Sequence, residues 1–206
     1  MTKRIGNKVP QLRFNEFEQD WEKKQLYEVC EIVGGGTPST IIPEYWGGNI
    51  DWYSPTEIGS EVYANGSVKK ITQLGLKKSS ARMLPANKTV LFTSRAGIGD
   101  MAILKQVGCT NQGFQSLVLH DGVDPYFIYS MGYLIKDYAL RHASGSTFLE
   151  ISSKQLGRMP VLLPKDKEQQ QIGAYFRKLD LLISQHSTQL DKLKQIKSAC
   201  LGRMFV

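Results

Sequence analysis

Hydrophobic positions along this chain follow two different rhythms. Through most of its length they come as short runs between turn signals. Val90-Leu91-Phe92-Thr93, Met101-Ala102-Ile103-Leu104, Ser116-Leu117-Val118-Leu119 and Val161-Leu162-Leu163 before Pro164 each predict a strand. Asn65-Gly66 and Asp121-Gly122 are turn dipeptides. From Asp124 to Arg141, Phe127, Met131, Leu134, Ile135 and Tyr138 recur at spacings of three and four. Asp124 can cap that segment and Pro125 suits the first helical position, so one helix is predicted there. Strands and helices mix without a regular βαβ period. An α+β globular domain is therefore expected over residues 1–164.

The second rhythm occupies residues 165–206. Asp166 stands three residues before Gln169, a D-x-x-Q form of the capping box. No proline follows. Ile172, Phe176, Leu179, Ile183, His186, Leu190, Leu193, Lys197, Cys200 and Met204 alternate at four and three, which is a heptad seam. Phe176, Ile183, Leu190, Lys197 and Met204 take position a; Ile172, Leu179, His186, Leu193 and Cys200 take position d. One helix of about 60 Å is predicted, too long to lie wholly on a domain whose radius of gyration is about 15 Å. Either the seam packs back on its own domain, or it pairs with a helix of a partner chain; its regularity favours pairing. His186 and Lys197 interrupt the seam and would fix register at some loss of stability. No second His or Cys stands at helical spacing from His186, so a metal site is not expected.

The chain has 206 residues, 41% hydrophobic and 22% charged, enough for a real core. Cys30, Cys109 and Cys200 are odd in number and far apart, which argues against a disulfide framework and fits a reducing cytoplasm. No apolar run approaches bilayer length, and no membrane partner is expected. The net charge is +7, and its placement is uneven. Between residues 62 and 105, eight basic residues (Lys69, Lys70, Lys77, Lys78, Arg82, Lys88, Arg95 and Lys105) face Asp100 alone. A polyanion is the natural partner of such a patch, because each phosphate neutralised releases counterions; the plainer reading is a solvated lysine surface.

Enzyme motifs are missing. There is no GxxxxGK[ST], GxSxG or HExxH, and Gly34-Gly35-Gly36 lacks the lysine of a phosphate loop. A binding protein is expected, with no catalytic residue. Gly34 to Ser39 reads as a flexible loop bearing Thr37 and Ser39, and Ser144-Gly145-Ser146-Thr147-Phe148 as another glycine loop. Thr93 to Gly99 places Arg95 on a turn after a strand, and Asn111-Gln112-Gly113-Phe114 adds amide side chains. Such donors and acceptors read base edges or grip phosphates.

These fragments, taken in order, resemble a known family. WEKKQL at 21–26, GGTPS at 35–39, YW-GG at 45–48, IDW at 50–52, LP at 84–85, TSRAGIG at 93–99 and TNQGF at 110–114 are followed by SGSTF and EIS between 144 and 152. LP-(x4)-EQ-(x2)-I at 163–172, LD at 179–180 and MF at 204–205 complete the set. The chain is similar to specificity (S) subunits of type I restriction–modification systems. The resemblance implies a target-recognition domain that reads part of a bipartite site in double-stranded DNA. It also implies a long helix forming an antiparallel coiled coil with a partner helix and docking the modification (methyltransferase) subunits. Restriction (translocase/endonuclease) subunits would join that core. S-adenosylmethionine, ATP and Mg would belong to those partners, with no cofactor here. A full S subunit has two tandem copies of domain plus helix, and this chain has one; it reads as a half-length form, expected to homodimerise through the seam. The alternative is a non-catalytic coiled-coil protein that engages the modification subunit without reading DNA.

Members of that family read different sequences while sharing TSRA-IG and NQGF, so those motifs are expected to be scaffold or phosphate grip. Base and phosphate contacts are expected from Lys69, Lys70, Lys77, Lys78, Ser79, Ser80 and Arg82, then Thr37 and Ser39, then Ser146 and Thr147. Arg95 either grips phosphate or pairs with an acidic group of its own domain. Trp46 and Trp52 read as core.

Overall fold

Runs of consecutive apolar residues become central strands only where both faces are covered, and here both are. The computed structural model describes residues 9–95, 97–145 and 149–205. Strands β1 (Glu22–Gln25), β2 (Cys30–Gly34) and β3 (Trp46–Tyr53) open the chain. Short β4 (Tyr63–Ala64) and β5 (Lys69–Ile71) lead into helix α1 (Gln73–Lys77). Then come β6 (Thr89–Phe92), β7 (Met101–Leu104), β8 (Gly108–Thr110) and β9 (Gln115–Leu119). Helices α2 (Pro125–Ser130), α3 (Gly132–His142) and α4 (Ser153–Gly157) precede β10 (Pro160–Leu163) and the long α5 (Asp166–Met204). The four strands predicted from apolar runs are β6, β7, β9 and β10, and the mixed α+β class holds.

The main sheet has the order β2-β9-β6-β7-β4. Every residue of β6 and β7 is buried, and the two-residue alternation of strands sorts them between two cores. Val90, Phe92, Met101 and Ile103 face α2 and α3, packing with Tyr126, Phe127, Ile128 and Ile135. Leu91, Ala102 and Leu104 face the other way, against Tyr53, Leu84 and Phe114. On that second side a smaller sheet, β5-β3-β8, carries its own cluster of Ile50, Trp52, Ile71 and Cys109. All three cysteines are free; burial pushes the Cys30 and Cys109 thiols up to about 12, and Cys200 is exposed.

The helix predicted over Asp124–Arg141 is divided. Asp124 caps it, accepting from the Phe127 N–H at 2.8 Å, and Pro125 starts it. The chain then bends at Met131, which ends α2 and begins α3. Gly132 follows and lies against the Met101 sulfur, where a Cβ would approach to 3.1 Å.

The globular part is closed by β1 and β10, an antiparallel pair that joins its first strand to its last. Helix α5 leaves directly from β10. The D-x-x-Q capping box is not formed: Lys165 is the capping residue, without a side-chain bond, and Asp166 is already helical. Gln169 turns inward instead. Its Nε2 donates to the Pro164 and Gly122 carbonyls at 2.9 and 3.3 Å, and its Oε1 accepts from Asp124 N–H at 3.1 Å. Glu168, only 3% exposed, accepts two bonds of 2.8 Å from the Arg13 guanidinium and one of 3.1 Å from the Trp21 indole. Further along, Tyr126 Oη donates to Asp180 at 2.6 Å. Beyond Asp180 every described residue of the helix is exposed, Ile183, Leu190 and Leu193 by more than half. The first fifteen or so residues are thus a root, and about 36 Å of helix projects.

Two glycines of α5 give opposite expectations for the same change. A Cβ at Gly173 would meet Asp124 Oδ1 at 2.4 Å and Tyr126 Cβ at 3.2 Å, and Asp124 can yield only by releasing its cap. Gly202 has nothing within 4 Å. Gly173→Ala is expected to lower the unfolding free energy by about 1–3 kcal/mol. Gly202→Ala should leave it unchanged or raise it by up to about 1 kcal/mol. Urea denaturation midpoints of the two variants check this.

Candidate nucleic-acid interface

The first part of the cationic segment, β5 and the adjoining α1, folds onto the small sheet, while β4, β6 and β7 belong to the main one. Central β3 pairs antiparallel with β5 and parallel with β8. Its register with β5 shifts between Trp46 and Ile50, and Gly47 takes φ +75° within that bulge. The bulge re-aims Trp46, whose ring meets Trp52 edge-on at 5.1 Å. Trp52 is 6% exposed, as the core reading expects, and Trp46 is half-buried. Both indoles then work on the neighbouring segment: Trp52 donates to the Gly36 carbonyl at 2.8 Å, and Trp46 to the Ser39 carbonyl at 3.1 Å.

The glycine triplet is therefore not a loose loop. Gly34 ends β2. A Cβ at Gly35 would lie 1.9 Å from the Asn111 carbonyl, and one at Gly36 would lie 2.3 Å from Ser80 Oγ. Glycine is required because three backbone segments pass at van der Waals distance. The consequence is assembly. Thr37 Oγ1 is hydrogen-bonded to Gln112 Oε1, Ser39 is held by Trp46, and Lys69 Nζ stands 5.9 Å over the Trp46 ring. Ser80 lies beside Gly36. Helix α1 sits on the turn at Pro43–Tyr45, capped by Thr72, which accepts from Gly75 N–H at 3.0 Å. It ends at Lys77, with Lys78 capping it.

Thr37, Ser39, Lys69, Lys77, Lys78 and Ser80 are thus exposed and carried by touching elements. Among the described residues Lys69, Lys77 and Lys78 have no ion pair. The other predicted residues are engaged. Lys70 is bound to Asp51 at 2.7 Å. Ser79 closes the turn after α1, donating to the Leu76 carbonyl at 3.1 Å and accepting from Ala81 N–H at 3.3 Å. Arg82 pairs with Glu31 at 2.8 Å, both well exposed. Arg95 lies 3.9 Å from Glu150, the internal pairing weighed for it. Ser146 and Thr147 lie outside the described residues.

The TSRAGIG and TNQGF segments are held by hydrogen bonds of their own. Thr93 Oγ1 donates to the Gly97 carbonyl at 2.6 Å and accepts from Asp100 N–H at 2.9 Å; Gly97 and Gly99 have φ of +116° and +98°. Asn111 Oδ1 accepts from Gly113 N–H at 2.8 Å, and Phe114 is fully buried. Gln112, whose motif alone marks an amide on a glycine turn, borders Thr37.

A mixed α+β head carrying exposed cations, on a projecting α-helical stalk, is the class that these features define. The chain belongs to the family of type I restriction modification DNA specificity domains, whose model matches residues 18–195. It is 35% identical over 195 residues to the type I restriction enzyme MjaIX specificity subunit of Methanocaldococcus jannaschii, covering 91% of this chain and 44% of that one. It is 32% identical over 178 residues to the EcoR124I/EcoR124II specificity subunit of Escherichia coli, covering 83% and 43%. The fold is similar to that of the HsdS subunit from Thermoanaerobacter tengcongensis, with a TM-score of 0.63, 18% identity, and 90% and 44% covered. It is also similar to that of the type I S subunit from M. genitalium, with a TM-score of 0.59, 14% identity, and 98% and 49% covered. The chain spans less than half the length of these relatives. No helix among the described residues is long and apolar enough to cross a membrane.

Asp51 gives the surface a pH dependence. Burial alone would raise its carboxyl, but the Lys70 ammonium and the two Ser67 donors outweigh that and hold it below the usual carboxylate range. A depressed folded-state value adds stability above the unfolded value near 3.9, and that stability is lost as pH falls through the folded value. Wild type should therefore lose stability more steeply than Asp51→Asn between about pH 5 and pH 2, as denaturant titrations at each pH would register.

Proposed function

We propose that the head reads part of a double-stranded DNA site, as the specificity subunit of a type I restriction–modification complex. It directs adenine methylation and restriction by partner subunits. The observation that carries this reading is the family match across residues 18–195. The exposed cations on the small sheet and α1 are what such a function needs. Lys69, Lys77 and Lys78 hold phosphates, while Thr37, Ser39, Ser80 and the neighbouring Gln112 offer hydroxyl and amide groups to base edges. Arg82 joins them once released from Glu31, since an exposed ion pair of this kind is worth at most about 1 kcal/mol. Lys70 and Ser79 position the surface, and Arg95, Ser146 and Thr147 are further DNA contacts in this reading.

The chain itself is the non-catalytic recognition component. Modification subunits supply the methyltransferase with S-adenosylmethionine, and restriction subunits use ATP and Mg. The protein works in the cytoplasm. The stalk docks the modification subunits and pairs antiparallel with a second copy, because its seam is complementary to itself and its far half has no packing of its own. Two heads related by a two-fold axis would favour an interrupted, symmetric DNA site.

Purified with a cognate modification subunit, the chain should direct methylation to adenines in one recurring sequence within random DNA. Methylation without sequence preference, or methylation by this chain alone, overturns the reading. Replacing Lys77 and Lys78 by Ala should weaken binding to all DNA sequences and flatten the salt dependence of affinity by about two units, measured by fluorescence anisotropy over a salt series.

A further inference from the structure

At the foot of the stalk an open cleft of about 360 Å³ lies between the head and the heptad seam. Asp100, Tyr129 and Tyr133 line it from the head, Phe176 and Asp180 from α5. Its charged groups are carboxylates and its walls are partly aromatic, a combination suited to an ammonium or guanidinium. Asp180 Oδ2 accepts from Tyr126, and among the described residues no cation pairs with Asp180. Lys136 reaches Asp100 only at 3.4 Å, as an exposed pair. Phe176 belongs to the seam, so a helix lying on the seam passes the mouth of the cleft.

The charge pattern of α5 says which residue arrives there. In an antiparallel pair, position a of one helix meets position d of the other, and the residues just after d face their counterparts. One register employs all ten seam positions. It sets Ile172 opposite Met204, Phe176 opposite Cys200, Leu179 opposite Lys197, Ile183 opposite Leu193 and His186 opposite Leu190. The flanking residues after Leu179, His186 and Leu193 are Asp180, Ser187 and Lys194. In this register Asp180 faces Lys194 of the second copy, twice by symmetry. A shift of one heptad sets Asp180 against Ser187 in one direction and Leu201 in the other. A parallel pair would offer it Tyr175 or Leu182. Lys194 is 66% exposed and held only by Asp191, three residues away at 3.3 Å.

Resting on the dimer proposed above, we infer that Lys194 of a second copy seats in this cleft against Asp180, and that the contact sets the antiparallel register. The ammonium lies at the mouth, with Asp100 and the two tyrosine rings around it. Lys197 enters the seam opposite Leu179, next to the same carboxylate, which accounts for a lysine at an a position. The cleft is thus completed by the partner copy.

Charge exchange tests the contact in the full chain. Lys194→Glu alone, and Asp180→Lys alone, should each weaken dimerisation about tenfold or more, read by sedimentation equilibrium with helicity checked by circular dichroism. In an equimolar mixture of the two variants, the mixed dimer sets the two exchanged charges against each other on one side. On the other side it keeps the native pair of Asp180 with Lys194. It should associate within about threefold of wild type. Should Asp180→Lys disturb Tyr126, Asp180→Asn combined with Lys194→Glu in one chain keeps the acceptor, removes the repulsion and should recover most of the loss. Variants that dimerise like wild type, or a mixture that gains nothing, overturn the Lys194 contact and leave the dimer standing. A wild-type chain that stays monomeric at tens of micromolar overturns the dimer and the contact together.

Discussion

A carboxylate and an amide at the start of α5 hold the molecule together. Glu168 and Gln169 are almost fully buried, and each would be costly there without partners. Arg13 and Trp21 satisfy the first; Pro164, Gly122 and Asp124 satisfy the second. These partners come from the N-terminal segment, the turn before α2 and the end of β10. The joint therefore gathers the extremities of the head and fixes them to the stalk in one orientation. Removing one partner of such a buried pair is far more disruptive than never having built it.

Much of the fold was legible because burial on two faces writes itself as continuous apolar runs. β6, β7, β9 and β10 were found that way, and α5 by its heptads. β1 reads Glu-Lys-Lys-Gln and β5 reads Lys-Lys-Ile, so neither shows an alternation; each exists because a distant strand pairs with it. β3 is disguised by two glycines and a bulge. The division between α2 and α3 was hidden because the apolar spacing runs unbroken through Met131, while Gly132 supports close packing on Met101. The capping box failed for a tertiary reason: Gln169 found buried carbonyls instead of its own helix terminus.

The candidate interface was legible as a composition and illegible as a network. A lysine or a threonine can be named from the chain, but its counterpart lies tens of residues away. Asp51 takes Lys70, Glu31 takes Arg82 and Glu150 lies by Arg95, so the eight cations of the basic stretch are not eight equivalent charges. On β5 and α1 the cations left without an ion pair among the described residues are Lys69, Lys77 and Lys78, and the backbone around them is packed too closely at Gly36, Gly48 and Gly75 for a side chain. That rigidity suits a surface whose donors must meet a ligand without rearranging.

The free length of the stalk turns the joint into a matter of precision. About 36 Å of helix extends past its last support, so a tilt of about ten degrees at the root carries the far end through about 6 Å. A lever is only as steady as the clamp at its foot, and here that clamp is a guanidinium, an indole and three carbonyl or amide groups around two adjacent side chains.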